Sequence, residues 1–225
     1  MSEPTSVTPG QITPDHRELI EEQKAIIEGI ANVTLAWGGV ESALVTILFT
    51  VLGADDLHKQ HIASAMYFSL SSLEARIGIV NAAVGQIYVG HQLEKGFSAE
   101  WKCAIARINR LKKTRNIVAH GTIMTISAFS PEGKSRVRLM APMLNLKSTT
   151  AAFSNLPQIP GLGSNELSEA VRATGEATQR LFEFPALIRM LSDPAAQPTL
   201  REKLIQLEAI RKQSPPEADP NREAP

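Results

Sequence analysis

Arg115, Asn116 and His120 are the residues of this chain whose types and spacing could do chemistry. A guanidinium stays charged at physiological pH and offers planar N–H donors that fit a phosphate. An imidazole exchanges a proton near neutral pH. The two stand five residues apart in Arg115-Asn116-Ile117-Val118-Ala119-His120, with Gly121 next. Such a pair can hold a phosphodiester and move protons on it. The pattern is short, so its surroundings decide what it means.

Charge is the first part of those surroundings. The chain has no net charge. From Trp101 to Lys147, however, it holds ten basic residues and one acid, Glu132, a net +9. The flanking segments are acidic: residues 1–100 carry −7 and residues 148–225 carry −2. A basic island of this kind attracts polyanions, and phosphate contacts supply most nucleic-acid affinity. A solvated basic helix face followed by a basic strand would have the same composition.

Helical geometry is the second part. Trp101, Ala104, Ile105, Ile108, Leu111 and Val118 follow the three-four spacing of a helix with a buried stripe. At about 100° per residue, Arg115 falls inside that stripe. A guanidinium there must be paired, or line a cleft or an interface. Asn116 and His120 share one edge of the stripe with Asn109 and Lys113. Arg115 and His120 diverge by about 140° on an ideal helix, so one substrate meets both only through the long arginine side chain or through two chains. Gly121 is a helix stop, and His120 stands in the last turn before it. Arg110, Lys112 and Lys113 on the same helix are candidates for substrate affinity rather than chemistry.

A possible partner lies in the first helical pattern, Ile26, Ile27, Ile30, Thr34, Trp37, Glu41, Leu44, Val45, Leu48. Glu41 interrupts this apolar stripe as Arg115 interrupts its own. Opposite charges on two buried faces predict an ion pair, here Glu41 with Arg115. A structural salt bridge and a polar active-site pocket both fit that pairing.

Arg115-Asn116-xxx-His120 on a helix resembles the Arg-x4–6-His signature of the HEPN-domain ribonucleases. The resemblance covers residues 19–120 and the helical pattern at 165–191. It implies a helical bundle that dimerises, with motifs of two protomers forming a composite site. It also implies a metal-independent endoribonuclease without a cofactor, with RNA as substrate. Toxins and phage-defence effectors belong to that superfamily, so an antitoxin or effector partner is a further implication. Non-catalytic members act as binding modules. On that model His120 is general acid or base, Arg115 clamps the phosphate, Asn116 orients His120 or the ribose, and Glu41 supports Arg115.

The elements that must position these residues read as mainly α. Residues 1–14 are polar and Pro-bearing and predict a disordered arm. Residues 15–192 predict a single helical domain. Its helices are expected over 16–52, with Gly38-Gly39 as a kink, over 62–89, and over 98–120, opened by Ser98. Gly53–His61 predicts a loop. Thr122–Phe129 and Arg136–Met143 alternate like strands and predict a β-hairpin within about 122–145, after the motif helix. Its second arm would show one basic face, either a groove wall or an edge kept soluble by arginine. Residues 146–164 predict a loop, and 165–191 a helix that Pro185 kinks or splits. The Pro-rich tail 193–225 holds one helical stretch, Thr199–Lys212.

Other residues compete weakly. Asp55, Asp56, His58 and His61 crowd one loop with a tolerable spacing for a metal, yet no second ligand cluster supports it. The lone Cys103 allows no disulfide within the chain and fits a reducing, cytoplasmic setting. His91 has no evident partner. Ser69, Ser71 and Ser72 lack a nucleophile elbow, and no P-loop, dinucleotide fingerprint or Cys-x2-Cys pair is present. Ala43–Leu52 is apolar but too short to span a bilayer, so a core helix and no membrane association are expected. Two function classes stay open beside the ribonuclease: a non-catalytic helical interaction module, and a general nucleic-acid-binding protein.

Overall fold

The computed structural model describes residues 14–89, 94–126, 135–141 and 161–213. The arm before residue 14, His91, the hairpin tip, most of the 146–164 loop and the end of the tail lie outside them.

Six α-helices, one β-hairpin and a short 3-10 turn make up the described chain. The helices are α1 (Pro14–Val51), α2 (Leu57–Ser69), α3 (Leu73–Tyr88), α4 (Glu94–His120), α5 (Ser164–Ser192) and α6 (Gln197–Gln213). Strands β1 (Thr122–Ile126) and β2 (Arg136–Met140) sit between α4 and α5. The expected class, mainly α with a small hairpin directly after the motif helix, is what the chain forms.

Several boundaries differ from expectation. The 62–89 helix is two helices. The chain breaks at Leu70-Ser71-Ser72, because the Ser72 side chain accepts the Ala75 amide (3.1 Å) and caps α3. The 53–61 loop is shorter, because Asp56 caps α2 by accepting the Lys59 amide (2.9 Å). Such caps satisfy amides that a helix start leaves open. Helix α4 begins before Ser98, so Ser98 is not its cap. Pro185 does not split α5. It removes one backbone donor, but Leu181, Phe184, Leu187, Ile188 and Leu191 around it are buried, and their burial holds the helix together.

Contacts divide the chain into two units. One comprises residues up to Gly38 with Leu111–Gly175, and the other Gly39–Arg110 with the residues from Glu176 onward. The core of the first is built from Ile26 and Val33 of α1, Val137 and Leu139 of β2, and Leu167 and Ala170 of α5, with Ile117, Val118, Ile123 and Leu162 packed on it. The helical residues recur every three or four positions and the strand residues every two, which is why each element turns one face to this core. On α1 the stripe runs through Ile26, Val33 and Trp37, whereas Ile27 is half exposed and Thr34 is exposed, donating back to the Ile30 carbonyl (2.8 Å).

In the second unit Trp101 is fully buried, stacks edge-on against Phe184 (4.9 Å between centroids) and donates from Nε1 to Asn81 (2.8 Å). The tail helix α6 belongs to this unit and buries Leu200 and Leu204. By length and composition α1 is apolar enough to cross a membrane, and 44% of its most apolar window is buried inside the protein.

Candidate functional site

Helix α4 ends where the motif ends. The Gly121 amide donates to the Ile117 carbonyl (2.7 Å), and the chain turns into β1 at Thr122. Only glycine fits at this junction. A Cβ at Gly121 would lie 2.4 Å from the Ile117 carbonyl oxygen and 2.6 Å from that of Met140, the cross-strand partner of Thr122. Helix and hairpin are thus joined without a spacer, and the hairpin holds the last turn of α4.

Ile117 and Val118 pack on the core of the first unit and fix the rotation of that turn. As a result Arg115 and Asn116 are half-buried, and Ala119 and His120 are exposed. Arg115 Nη1 approaches Asn116 Oδ1 at 3.4 Å, a long contact at the limit of a hydrogen bond. Lys112 is half-buried and Lys113 exposed on the preceding turn. Arg115, Asn116, His120, Lys112 and Lys113 all belong to the first unit, whereas Arg110, which is exposed, belongs to the second. The C-terminal end of a helix carries partial negative charge. An anion here must be held by side chains, not by helix amides.

Glu41 is paired, but with Arg76 in place of the expected Arg115. Its carboxylate accepts from Arg76 Nη1 at 2.9 Å, within the second unit. Arg76 also donates to the Leu70 carbonyl (3.0 Å) and stacks over Tyr67 and Phe68. Burial pushes the Tyr67 hydroxyl above its usual range, and the nearby Glu41 charge adds to this. The apolar stripe correctly marked Glu41 as needing a cation, but it held no information on which one.

The other half-buried arginines are served by carboxylates in the same way. Arg107 meets Glu176 at 2.5 Å, Arg138 meets Glu166 at 2.9 Å, and Arg180 meets Glu100 at 2.6 Å. Arg211 lies 3.7 Å from Glu100. Among the described residues, Arg115 is the half-buried arginine without a carboxylate partner.

The hairpin is less basic than its sequence suggests. Arg136 is exposed, but Arg138 is taken up by Glu166 and the Gly161 carbonyl (2.9 Å). Nor is β2 an open edge. Its alternate amides point away from β1: that of Val137 donates to the Glu22 carboxylate (2.8 Å), and Leu139 exchanges two backbone hydrogen bonds with Leu162 (2.9 Å each). Both protections come from residues distant in sequence, which strand periodicity does not reveal.

The 55–61 cluster is used structurally. Asp56 is a cap and Asp55 pairs with Lys59 (2.6 Å), an exposed ion pair that lowers the aspartate and raises the lysine from their ordinary values. His58 and His61 are exposed, and no group of three or more metal-ligating side chains forms among the described residues. Cys103 is exposed and free.

Comparison with protein-family models, with curated proteins and with solved structures finds no match to this chain.

Proposed function

We propose that the protein is a metal-independent endoribonuclease of the HEPN type, acting as a cytoplasmic homodimer. The observation that carries this reading is Arg115: a half-buried guanidinium without a carboxylate partner among the described residues, five residues before an exposed histidine. A desolvated cation without an internal anion is suited to bind an external one. A phosphodiester supplies that anion, and His120 supplies the proton transfer.

In the proposed reaction His120 takes the proton of a ribose 2′-hydroxyl, and the 2′-oxygen attacks the adjacent phosphorus. The bond to the 5′-oxygen breaks, and that oxygen leaves with a proton from a second imidazole. Arg115 balances the negative charge that builds on the phosphorane oxygens. The products are a 2′,3′-cyclic phosphate and a 5′-hydroxyl. A twofold dimer would supply the second imidazole and reconcile the divergent directions of Arg115 and His120 on their helix. Asn116, already in contact with Arg115, holds the guanidinium or the ribose. Lys112, Lys113 and Arg110 add affinity for the backbone.

The test is cleavage of varied single-stranded RNAs in EDTA, with end-group analysis of the products. Wild-type protein is expected to cut. Absence of cleavage across substrates would replace this reading with the non-catalytic interaction module. A monodisperse monomer at micromolar concentration in light scattering would remove the dimer from it.

A further inference from the structure

The hairpin that follows His120 has one face without a role so far. Its register pairs Thr122 with Met140, Met124 with Arg138 and Ile126 with Arg136. Strand alternation puts these six residues on one face, and Ile123, Val137 and Leu139 on the other. The second face packs on the core of the first unit, as do Ile117 and Val118 of α4. The first face turns away from that core, as the exposed Ala119 and His120 do, and the two surfaces meet at Gly121.

Half of this outer face is covered. A Cβ at Gly161 would stand 2.7 Å from Met140 Sδ and 3.2 Å from Arg138 Cβ, so the chain there lies over β2. Met140 is buried, and Arg138 is held by Glu166. The β1 half is open: Thr122 and Met124 are exposed, and so is Arg136 at the far end. From Thr122 to Ile126, the partner of Arg136, the strand advances on the order of 13 Å. An open lane thus runs from the end of the motif to a cation.

That cation is uncommitted. In the first unit Lys24, Arg138 and Arg172 each meet a carboxylate. Arg136 meets none among the described residues. Arg17 is also unmatched, but it stands at the acidic start of α1, with Glu18, Glu21 and Glu22. Glu166 and Glu22 contact the hairpin without opposing Arg136. Glu166 is neutralised by Arg138, and Glu22 accepts the Val137 amide at the β2 edge remote from β1.

We propose that this lane carries the RNA strand away from Arg115 and His120, with a phosphate held by Arg136 and a base or sugar over Met124. This subsite rests on the ribonuclease reading. A lane one β-strand wide fits single-stranded RNA rather than a duplex.

Two measurements on the full chain test it. Fluorescence anisotropy with a fully 2′-O-methylated RNA of about 12 nucleotides, which cannot be cut, reads binding alone. Arg136→Gln should weaken that binding on the order of tenfold and lower its salt slope by about one. Arg17→Gln removes the same charge elsewhere and should do neither. In cleavage of single-stranded RNA, Arg136→Gln should raise KM by a similar factor with little change in kcat. The lane is ruled out if the wild type does not bind the uncleavable RNA, or if Arg17→Gln weakens binding as much as Arg136→Gln. It is equally ruled out if Arg136→Gln lowers kcat and leaves KM unchanged. Binding that depends on Arg136 without any cleavage would support the lane and overturn the ribonuclease reading alone.

Discussion

Glu100 and Arg115 both lie on α4, and their ionic surroundings are opposite. At Glu100 one buried carboxylate draws two guanidiniums, Arg180 at 2.6 Å and Arg211 at 3.7 Å. At Arg115 a half-buried guanidinium has, among the described residues, only an amide oxygen at 3.4 Å. A cation matched by an internal acid is committed to holding the fold. A cation without one keeps its charge for a group that arrives from outside, which is why Arg115, and not its paired counterparts, is read as part of a site.

The most severe way to break that contrast is to remove the chemistry. His120→Ala should lower RNA cleavage by about 10²–10⁴-fold, the usual cost of a positioned acid–base group. Because His120 is exposed, thermal melting should stay unchanged. Equal cleavage by the variant would end the enzyme reading.

The arginines themselves give the next largest effect. Arg180→Met strands a carboxylate that is 4% exposed and should destabilise the protein by about 2–4 kcal/mol, moderated by Arg211. Arg115→Met strands none and should cost under about 1 kcal/mol while abolishing RNA cleavage. Urea unfolding of both variants measures this. Equal destabilisation would show that Arg115 is as structural as Arg180.

Gly121→Ala forces a Cβ against two carbonyl oxygens and should cost about 2 kcal/mol or more in the same assay. A neutral outcome would mean that the last turn of α4 is not held by the hairpin.

The smallest effect sharpens the paired side of the comparison. Burial disfavours the Glu166 carboxylate, but hydrogen bonds from its own amide, from Arg138 and from the Gly163 amide outweigh this and hold it below the ordinary carboxylate range. A lowered folded-state value contributes stability above the unfolded value, and that contribution disappears as pH falls through the folded one. Glu166→Gln should therefore melt about 1–3 °C lower than wild type at neutral pH, and the two should converge in acid. A constant difference across the whole pH range would mean that the loss is not ionic.

What could be read from the sequence was local. The spacing from Trp101 to Val118 placed Arg115 in an apolar stripe at the end of a helix. The alternation in 122–129 and 136–143 predicted a hairpin, of which Thr122–Ile126 and Arg136–Met140 pair. The same reasoning missed whatever depends on one residue's reach or on distant partners. Two side-chain caps, Asp56 and Ser72, moved helix boundaries that apolar periodicity alone placed elsewhere. Arg76 took Glu41 because complementary burial does not specify an address. Leu162 and Glu22 closed the β2 edge from segments that carry no strand signal. The tail helix read only as a helical stretch in a Pro-rich tail, because its two buried leucines, Leu200 and Leu204, are a sparse stripe among charges.

The spacer-free joint at Gly121 makes His120 a natural spectroscopic reporter. Its imidazole is exposed, yet its backbone sits between a helix and a strand. Fraying or slippage of the hairpin should therefore register as broadening or splitting of the His120 ring resonances. Those resonances can be followed by nuclear magnetic resonance without a substrate.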